Sequence, residues 1–221
     1  MRSSKILFIL MFTLISSGCL SKNKERPSPV TAERTAQQDL DKMETAYFAS
    51  GCFWCVEAIF ESVKGVAEVV SGYSGGTEKN PTYEQVGRGL TSHAEAVKVY
   101  YDPKVVSFAT LVTVFFGSHD PTTLNRQGPD HGAQYRSIAF YKNDQEKKII
   151  TDHIAQLQAK KTYPNPIVTQ VVPFSKFYDA EDYHQDYEKN NPNNPYVLGV
   201  SVPRLKRFQK KFPELLKSEA H

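Results

Sequence analysis

Strand-like and helix-like segments alternate along most of this chain, and no other feature of the sequence constrains the fold as strongly. Residues 94–101 alternate strictly between two faces, and Asp102-Pro103 ends the run. Apolar residues at helical spacing then extend from Ser107, a favourable N-cap, to Gly117. Strands that alternate with helices predict a two-layer α/β or α+β domain, although this pattern leaves the order of the strands open.

The same criteria predict the remaining elements. Strands are predicted at 45–50, 65–73, 137–141 and 167–172, a short helix at 82–86, a long amphipathic helix at 144–160, a short polar helix at 180–190, and a helix or coil at 203–217. The Asn- and Pro-rich stretch 191–202 predicts irregular structure. We expect the folded domain to cover residues 43–221.

The composition is that of a globular domain with an ordinary core. Hydrophobic residues make up 40% of the chain and charged residues 23%, which are typical values for folded proteins. The net charge of +3 comes from interleaved acidic and basic residues, so the sequence has no basic stripe that would predict nucleic-acid binding. We expect a monomer with no nucleic-acid partner.

The N-terminus has the pattern of a secretory signal. Arg2 and Lys5 precede an apolar run at 6–15, and Ser16-Ser17-Gly18-Cys19 follows. A cysteine directly after small residues resembles the bacterial lipoprotein signal, which implies cleavage after residue 18 and lipidation of Cys19. An ordinary cleaved signal with a chance cysteine is the alternative. The polar stretch 19–42 is predicted to be a tether. These features predict an exported, membrane-anchored lipoprotein that faces the periplasm or the cell exterior.

The two remaining cysteines form one short motif, Cys52-Phe53-Trp54-Cys55. Only three cysteines are present in the chain, so a disulfide scaffold is excluded and stability must come from the core. The motif lies between the strand predicted at 45–50 and a helix that opens at Val56. Backbone N–H groups at such a helix start favour a thiolate at Cys52. Positions i and i+3 lie about 5–6 Å apart on a helix, within reach of a disulfide.

This motif has three interpretations. A zinc half-site would need two further ligands at matching spacing, and the sequence has no second CxxC and no suitably spaced His pair. Two buried structural thiols would be inert. A redox pair agrees best with export and with the strand–turn–helix placement. Such a pair serves either a thiol–disulfide oxidoreductase or an enzyme whose apolar wall, Phe53 and Trp54, accommodates a methyl group beside sulfur. A non-catalytic binding module is a third possibility.

Several motifs together resemble the peptide methionine sulfoxide reductase A family, over residues 45–202. They are Gly51-Cys52-Phe53-Trp54, Gly72-Tyr73-Ser74-Gly75-Gly76, Asn80-Pro81-Thr82-Tyr83, His93-Ala94-Glu95, His119-Asp120-Pro121-Thr122, Gly128-Pro129-Asp130, Gln134-Tyr135-Arg136-Ser137 and Ala180-Glu181-Asp182-Tyr183-His184-Gln185. The resemblance implies an α+β two-layer sandwich, with a ferredoxin-like core of mixed sheet packed by helices and an irregular C-terminal segment. It also implies reduction of the S epimer of methionine sulfoxide, free or in proteins.

The resemblance assigns roles motif by motif. Cys52 matches the nucleophile, and Glu95 matches the acid that protonates the sulfoxide oxygen. The residues that bind that oxygen match Tyr83, Asp130 and Tyr135, and the walls of the methyl pocket match Phe53 and Trp54. No metal and no bound cofactor are expected, because an external reductant such as thioredoxin supplies the electrons.

Two of these roles have a physical rationale in the sequence. Glu95 shares a strand face with Val97 and Val99, and burial there would raise the pKa of its carboxyl and keep it protonated. Many members of the family resolve the sulfenic acid with cysteines near the C-terminus, but 206–221 contains none. Either Cys55 or an external thiol must therefore resolve Cys52.

Overall fold

A computed structural model of the chain describes residues 39–218. The predicted signal peptide, Cys19 and most of the predicted tether lie outside these residues. Within 39–218, no helix is both long enough and apolar enough to cross a membrane.

A six-stranded mixed sheet forms the framework of the fold. The strands in chain order are β1 (Glu44–Ser50), β2 (Val66–Ser74), β3 (Ala94–Tyr101), β4 (Arg126–Gln127), β5 (Asp130–His131), β6 (Ser137–Tyr141), β7 (Gln170–Pro173) and β8 (Phe177–Asp179). The order in the sheet is β7-β6-β1-β3-β2-β8, and β4 and β5 form a separate small hairpin. Only β6 and β7 are parallel. The central order β6-β1-β3-β2, with all neighbours antiparallel, is the predicted ferredoxin-like core.

Helices cover one face of this sheet. They are α1 (Phe53–Glu61), α2 (Tyr83–Gly87), α3 (Phe108–Ser118), α4 (Asp144–Ala159), α5 (Tyr187–Asn190) and α6 (Val202–Lys211). The core beneath α1 and α3 is aromatic: the ring of Phe48 on β1 lies 5.2 Å from that of Phe60 and 5.1 Å from that of Phe115. Helix α6 packs against both α1 and α3. The α+β fold predicted from the sequence is therefore confirmed.

A glycine turn connects β1 to α1 and places the first cysteine. Gly51 has φ of +93°, a conformation that glycine adopts without steric cost. A Cβ at this position would stand 2.6 Å from Cβ of Gln127, so no other residue fits. Cys52 follows as the N-cap of α1, and the turn thereby fixes the thiol at the start of the helix.

The structure corrects the prediction of a helix at 180–190. A one-turn 3₁₀ helix covers Asp182–His184, and α5 begins only at Tyr187. Between them Asp186 has φ of +52°, which no continuous right-handed helix tolerates. The backbone N–H of Asp186 donates to Oε1 of Glu57 on α1 at 2.8 Å. This tertiary contact occurs at the position where the predicted helix is interrupted.

The structure of residues 191–202 also differs from the prediction that this segment is irregular. Val197–Ser201 forms a π-helical turn that continues into α6, and Pro203 lies in the first turn of that helix. A proline in this position is compatible with a helix because the first N–H groups have no intrahelical partner. The strand predicted at 167–172 begins at Gln170 and includes Pro173. Strands β4, β5 and β8 are too short to have a periodic signal in the sequence.

Candidate active site

The two thiols lie together at the start of α1. Cys52 and Cys55 are both buried and unbonded. The neighbouring Cys52 thiol, with a further contribution from the Arg204 charge, lowers the pKa of Cys55 to about 6. Burial and the neighbouring Cys55 raise the pKa of Cys52 well above its usual value. Burial and the neighbouring Cys55 thus oppose the thiolate that the helix start is predicted to favour at Cys52.

Glu95 points at the same helix start from strand β3. Its side chain is only 2% exposed, and its Oε2 accepts a hydrogen bond from the backbone N–H of Phe53 at 3.0 Å. Burial raises the pKa of this carboxyl from 4.5 to about 8, and the neighbouring Asp130 and Cys55 contribute to the increase. Glu95 is thus protonated at neutral pH and is placed to donate a proton next to Cys52.

Two phenols face the carboxyl and the thiol. Tyr83 begins α2, where the capping box of Thr82 and a bond from the Tyr83 N–H to Glu181 Oε1 fix its backbone. Burial and the charges of Glu95 and Cys52 raise the pKa of Tyr83 to about 12, and the same causes raise that of Tyr135. Both hydroxyls remain protonated across the physiological range and can donate hydrogen bonds.

Aromatic rings surround the helix start. Trp54 stacks on Tyr187 with ring centroids 3.7 Å apart, and the indole Nε1–H donates to Nδ1 of His184 at 3.1 Å. That bond requires an unprotonated Nδ1, so the proton of the neutral imidazole is on Nε2. Among the residues that the structure describes, Nε2 of His184 has no hydrogen-bond partner. Burial lowers the pKa of His184, which maintains the neutral ring and the orientation of Trp54.

Tyr196 is a member of the site that the sequence analysis missed. Its hydroxyl donates to Oδ2 of Asp130 at 2.6 Å and lies 3.9 Å from the Cys55 sulfur. Asp130 itself is held by the β4–β5 hairpin. Tyr196 lies in the stretch that was predicted to be irregular, and no periodicity there marks it.

Arg204 is a second residue that sequence reasoning missed. It extends from α6 to the turn that precedes Cys52, where its guanidinium donates to the backbone carbonyl of Ser50 at 3.0 Å. The amphipathic spacing of a C-terminal helix could have indicated a buried position, but not the charge at that position.

The structure brings every predicted catalytic and substrate-binding residue to one end of α1. These residues are Cys52, Phe53, Trp54, Cys55, Tyr83, Glu95, Asp130 and Tyr135. The Phe53 ring also lies 6.1 Å from that of Trp54 and 6.2 Å from that of Tyr83, and the hydrogen bonds and electrostatic interactions described above join the other members. Cys19, the predicted lipidation site, lies outside the described residues.

One cluster of carboxylates within 39–218 has the spacing of a metal site. Oxygen atoms of Glu57, Glu61 and Asp186 lie within 4.8 Å of one another. The ammonium group of Lys189, however, lies 2.8 Å from Glu61 and 2.6 Å from Asp186. A cation of the protein therefore already balances this cluster, which lies farther along α1 than the cysteines.

Comparisons with known proteins agree with this geometry. The family model described as "Peptide methionine sulfoxide reductase" matches residues 44–216. A relative from Rhodopirellula baltica, peptide methionine sulfoxide reductase MsrA 1, is 50% identical over 174 residues, which are 79% of this chain and 90% of that protein. The peptide methionine sulfoxide reductase MsrA of Polynucleobacter asymbioticus is 46% identical over 179 residues, 81% of this chain and 94% of that protein.

Solved structures show the same fold. Reduced Mxr1 from Saccharomyces cerevisiae superposes with a TM-score of 0.65 at 38% identity, and the match covers 70% of this chain and 88% of that one. Methionine sulfoxide reductase A of Corynebacterium diphtheriae gives a TM-score of 0.62 at 35% identity, covering 69% and 76%. The chain therefore belongs to the peptide methionine sulfoxide reductase family and is an oxidoreductase that reduces methionine sulfoxide.

Proposed function

We propose that Cys52 attacks the sulfur of methionine-S-sulfoxide while Glu95 protonates the sulfoxide oxygen. The observation that carries this proposal is the protonated carboxyl of Glu95, hydrogen-bonded to the N–H of Phe53, beside the buried thiol at the same helix start. A sulfoxide sulfur is a weak electrophile until its oxygen is protonated or hydrogen-bonded. The hydroxyls of Tyr83 and Tyr135 supply donors where charge develops on that oxygen.

The first half of the reaction balances without a cofactor. The Cys52 sulfur bonds to the substrate sulfur as the oxygen receives the Glu95 proton, and the thiol proton of Cys52 returns to the carboxylate. The hydroxyl group then transfers to Cys52 as methionine leaves. The products are methionine and the sulfenic acid of Cys52. Phe53 and Trp54 form the apolar wall for the methyl group of the substrate.

The second half restores the thiol. Cys55, one turn along α1, attacks the Cys52 sulfur, a disulfide forms, and the oxygen leaves as water. An external dithiol protein of the thioredoxin type then reduces the disulfide by exchange. The resting acidity of Cys55 supports its role as the attacking thiol. The thiol–disulfide oxidoreductase interpretation is not favoured, because such an enzyme has no use for a protonated Glu95.

Two serine variants test these roles in the full chain carrying Cys19→Ser, purified in detergent. Cys52→Ser should form no methionine from racemic methionine sulfoxide, because no nucleophile remains. Cys55→Ser should release about one equivalent of methionine per enzyme and should then stop when thioredoxin is the reductant. Full multiple turnover of Cys55→Ser with thioredoxin would contradict the resolving role. Recovery of only the R epimer from wild type would support the expected preference, and consumption of both epimers would contradict it.

The location of the enzyme is a separate proposal. The Ser16-Ser17-Gly18-Cys19 pattern supports cleavage before Cys19, lipidation of that residue and attachment of a monomer to a membrane surface through the tether. Mass spectrometry of the protein expressed in a bacterium should show a mature N-terminus at Cys19 that carries acyl chains. A mature chain without acyl groups would contradict the anchor and would support an ordinary cleaved signal.

A further inference from the structure

Arg204 places a buried positive charge behind the two thiols. The residue is 7% exposed. Its Nε donates to the carbonyl of Ser118 at the end of α3 at 2.8 Å, and one terminal nitrogen donates to the carbonyl of Ser50 at the end of β1 at 3.0 Å. The other terminal nitrogen lies 3.5 Å from the position that a Cβ on Gly51 would occupy. The guanidinium thus contacts the backbone that leads directly into Cys52.

Among the described residues, no carboxylate lies within ion-pair distance of this guanidinium. Within residues 39–218, none of the ion pairs involves Arg204. Carbonyl oxygens satisfy part of its hydrogen-bonding capacity but carry no net charge. A charge this deeply buried is retained only where another charge or a function compensates for the desolvation.

The titratable groups around the guanidinium indicate which anion its positive charge stabilises. Its field acts on Cys55, on Asp130 and on His119. His119 is neutral, since burial and Arg204 lower its pKa to about 3. Asp130 is already bonded to the Tyr196 hydroxyl. Cys55 is the group in this set that must become an anion for the proposed reaction to finish.

We propose that Arg204 is a positioning residue for disulfide formation: its guanidinium keeps Cys55 as a thiolate that attacks the sulfenic acid of Cys52. This inference rests on the proposed role of Cys55 as the resolving thiol. In the step, the Cys55 thiolate forms the S–S bond, the S–O bond of Cys52 breaks, and the departing oxygen takes a proton from Glu95 to leave as water. No other oxidant or reductant enters this step.

The charge of Arg204 matters most at this stage. In the resting enzyme, the neighbouring Cys52 thiol makes the largest contribution to the acidity of Cys55. That thiol no longer exists once Cys52 has become a sulfenic acid. The other groups that face Cys55 are the hydroxyl of Ser201, which favours the thiolate, the hydroxyl of Tyr196, which donates its proton to Asp130, and Glu95, which is protonated. Among these groups, the Arg204 guanidinium is then the cation that stabilises the Cys55 thiolate.

The test follows both halves of one turnover in the full chain carrying Cys19→Ser, purified in detergent. One equivalent of methionine sulfoxide is mixed with reduced enzyme from about pH 5.5 to 9. Released methionine reports the first half. Loss of both thiols reports disulfide formation, and dimedone traps any sulfenic acid that persists. Arg204→Gln removes the charge, Arg204→Lys keeps it, and Arg207→Gln removes an exposed charge three residues along the same helix.

The expected result separates the charge from a structural effect. Arg204→Gln should slow disulfide formation near pH 7 at least about tenfold more than it slows its own methionine release, because once the Cys55 pKa lies above the pH, each further unit of increase lowers the thiolate fraction about tenfold. Toward pH 9 the disulfide rate of Arg204→Gln should approach that of wild type, because Cys55 is then a thiolate in both proteins. Arg204→Lys and Arg207→Gln should stay within about threefold of wild type at every pH. A disulfide rate in Arg204→Gln that equals wild type at all pH values overturns the role of Arg204 alone.

Two further outcomes keep the inference testable. If wild type itself forms no Cys52–Cys55 disulfide, the resolving role of Cys55 and the role of Arg204 both fail. If Arg204→Gln does not fold, thiolate absorbance in Cys52→Ser enzyme measures the Cys55 pKa directly, with Arg204 intact and with Arg204→Lys. A value in either protein at or above that of a free cysteine, about 8.5, overturns the proposal, and values below about 7.5 in both support it.

Discussion

Replacing Glu95 with Gln should make the enzyme more stable and less active. The amide keeps the shape of a protonated carboxyl and can still accept the hydrogen bond from the Phe53 N–H, but it cannot give a proton to the substrate. The buried carboxyl has a pKa of about 8 instead of 4.5. The unfolded chain therefore releases a proton that the folded chain retains, and this difference destabilises the folded state as the pH rises.

The size of the effect follows from the pH interval. The ionisation of Glu95 does not affect the free energy of unfolding below about pH 4. It lowers that free energy progressively from pH 4.5 to about 8, and the loss is constant above pH 8. Each pH unit is worth about 1.4 kcal/mol, so near pH 7 the wild type should be less stable than Glu95→Gln by up to about 3 kcal/mol. Urea denaturation of the reduced proteins at several pH values measures this difference. Methionine release in one turnover should fall at least about a hundredfold.

The reasoning would be refuted by a stability difference that does not change between pH 5 and 8. Methionine release in Glu95→Gln at the wild-type rate would refute the proton donation separately. Glu57→Gln is the matched control. Glu57 is equally buried on α1, and burial raises its pKa to about 7, but its oxygens bond to Ser71 and Asp186 away from the cysteines. Glu57→Gln should change the pH dependence of the free energy of unfolding and leave methionine release unchanged.

Two further substitutions examine the walls of the site. His184→Phe leaves the indole N–H of Trp54 without its acceptor; we expect KM for methionine sulfoxide to rise about tenfold with kcat within about threefold, and an unchanged KM would contradict the role of this bond. Gly51→Ala forces a Cβ against Gln127 and strains the turn; kcat should fall about a hundredfold as Cys52 moves. Gly87→Ala, where a Cβ meets nothing within 4 Å, is the control and should keep full activity.

The sequence predicted the parts of the site that local pattern determines. The strict alternation at 94–101 places Glu95 on the same face as Val97, and both are buried in the structure. Ser107 caps α3 as predicted, since its side chain accepts from the Thr110 N–H. These features depend on neighbours within a few residues, which is the range that periodicity and capping rules describe.

The rest of the site depends on contacts that no local rule describes. Tyr196 meets Cys55 across 141 positions, and Arg204 meets Ser50 across 154. The environment of the Cys52 thiol was missed for the same reason: the helix start is visible in the sequence, whereas the burial that raises the pKa of Cys52 comes from distant segments. Strand β8 is also invisible, because its three residues extend only by pairing with Gly72–Ser74 on β2.

The long reach of the C-terminal segment has a consequence for biosynthesis. The cysteines are synthesised before Tyr196 and Arg204, which complete their surroundings, and a bridge joins Val63 to Leu216. Contacts this distant in sequence form only after the later partner has been synthesised, and they slow folding. Until then the two thiols lack the Tyr196 hydroxyl, which bonds to Asp130, and the buried guanidinium of Arg204. A nascent or proteolysed chain that stops before Tyr196 would therefore carry an intact CxxC but lack reductase activity, so activity would report synthesis beyond Arg204.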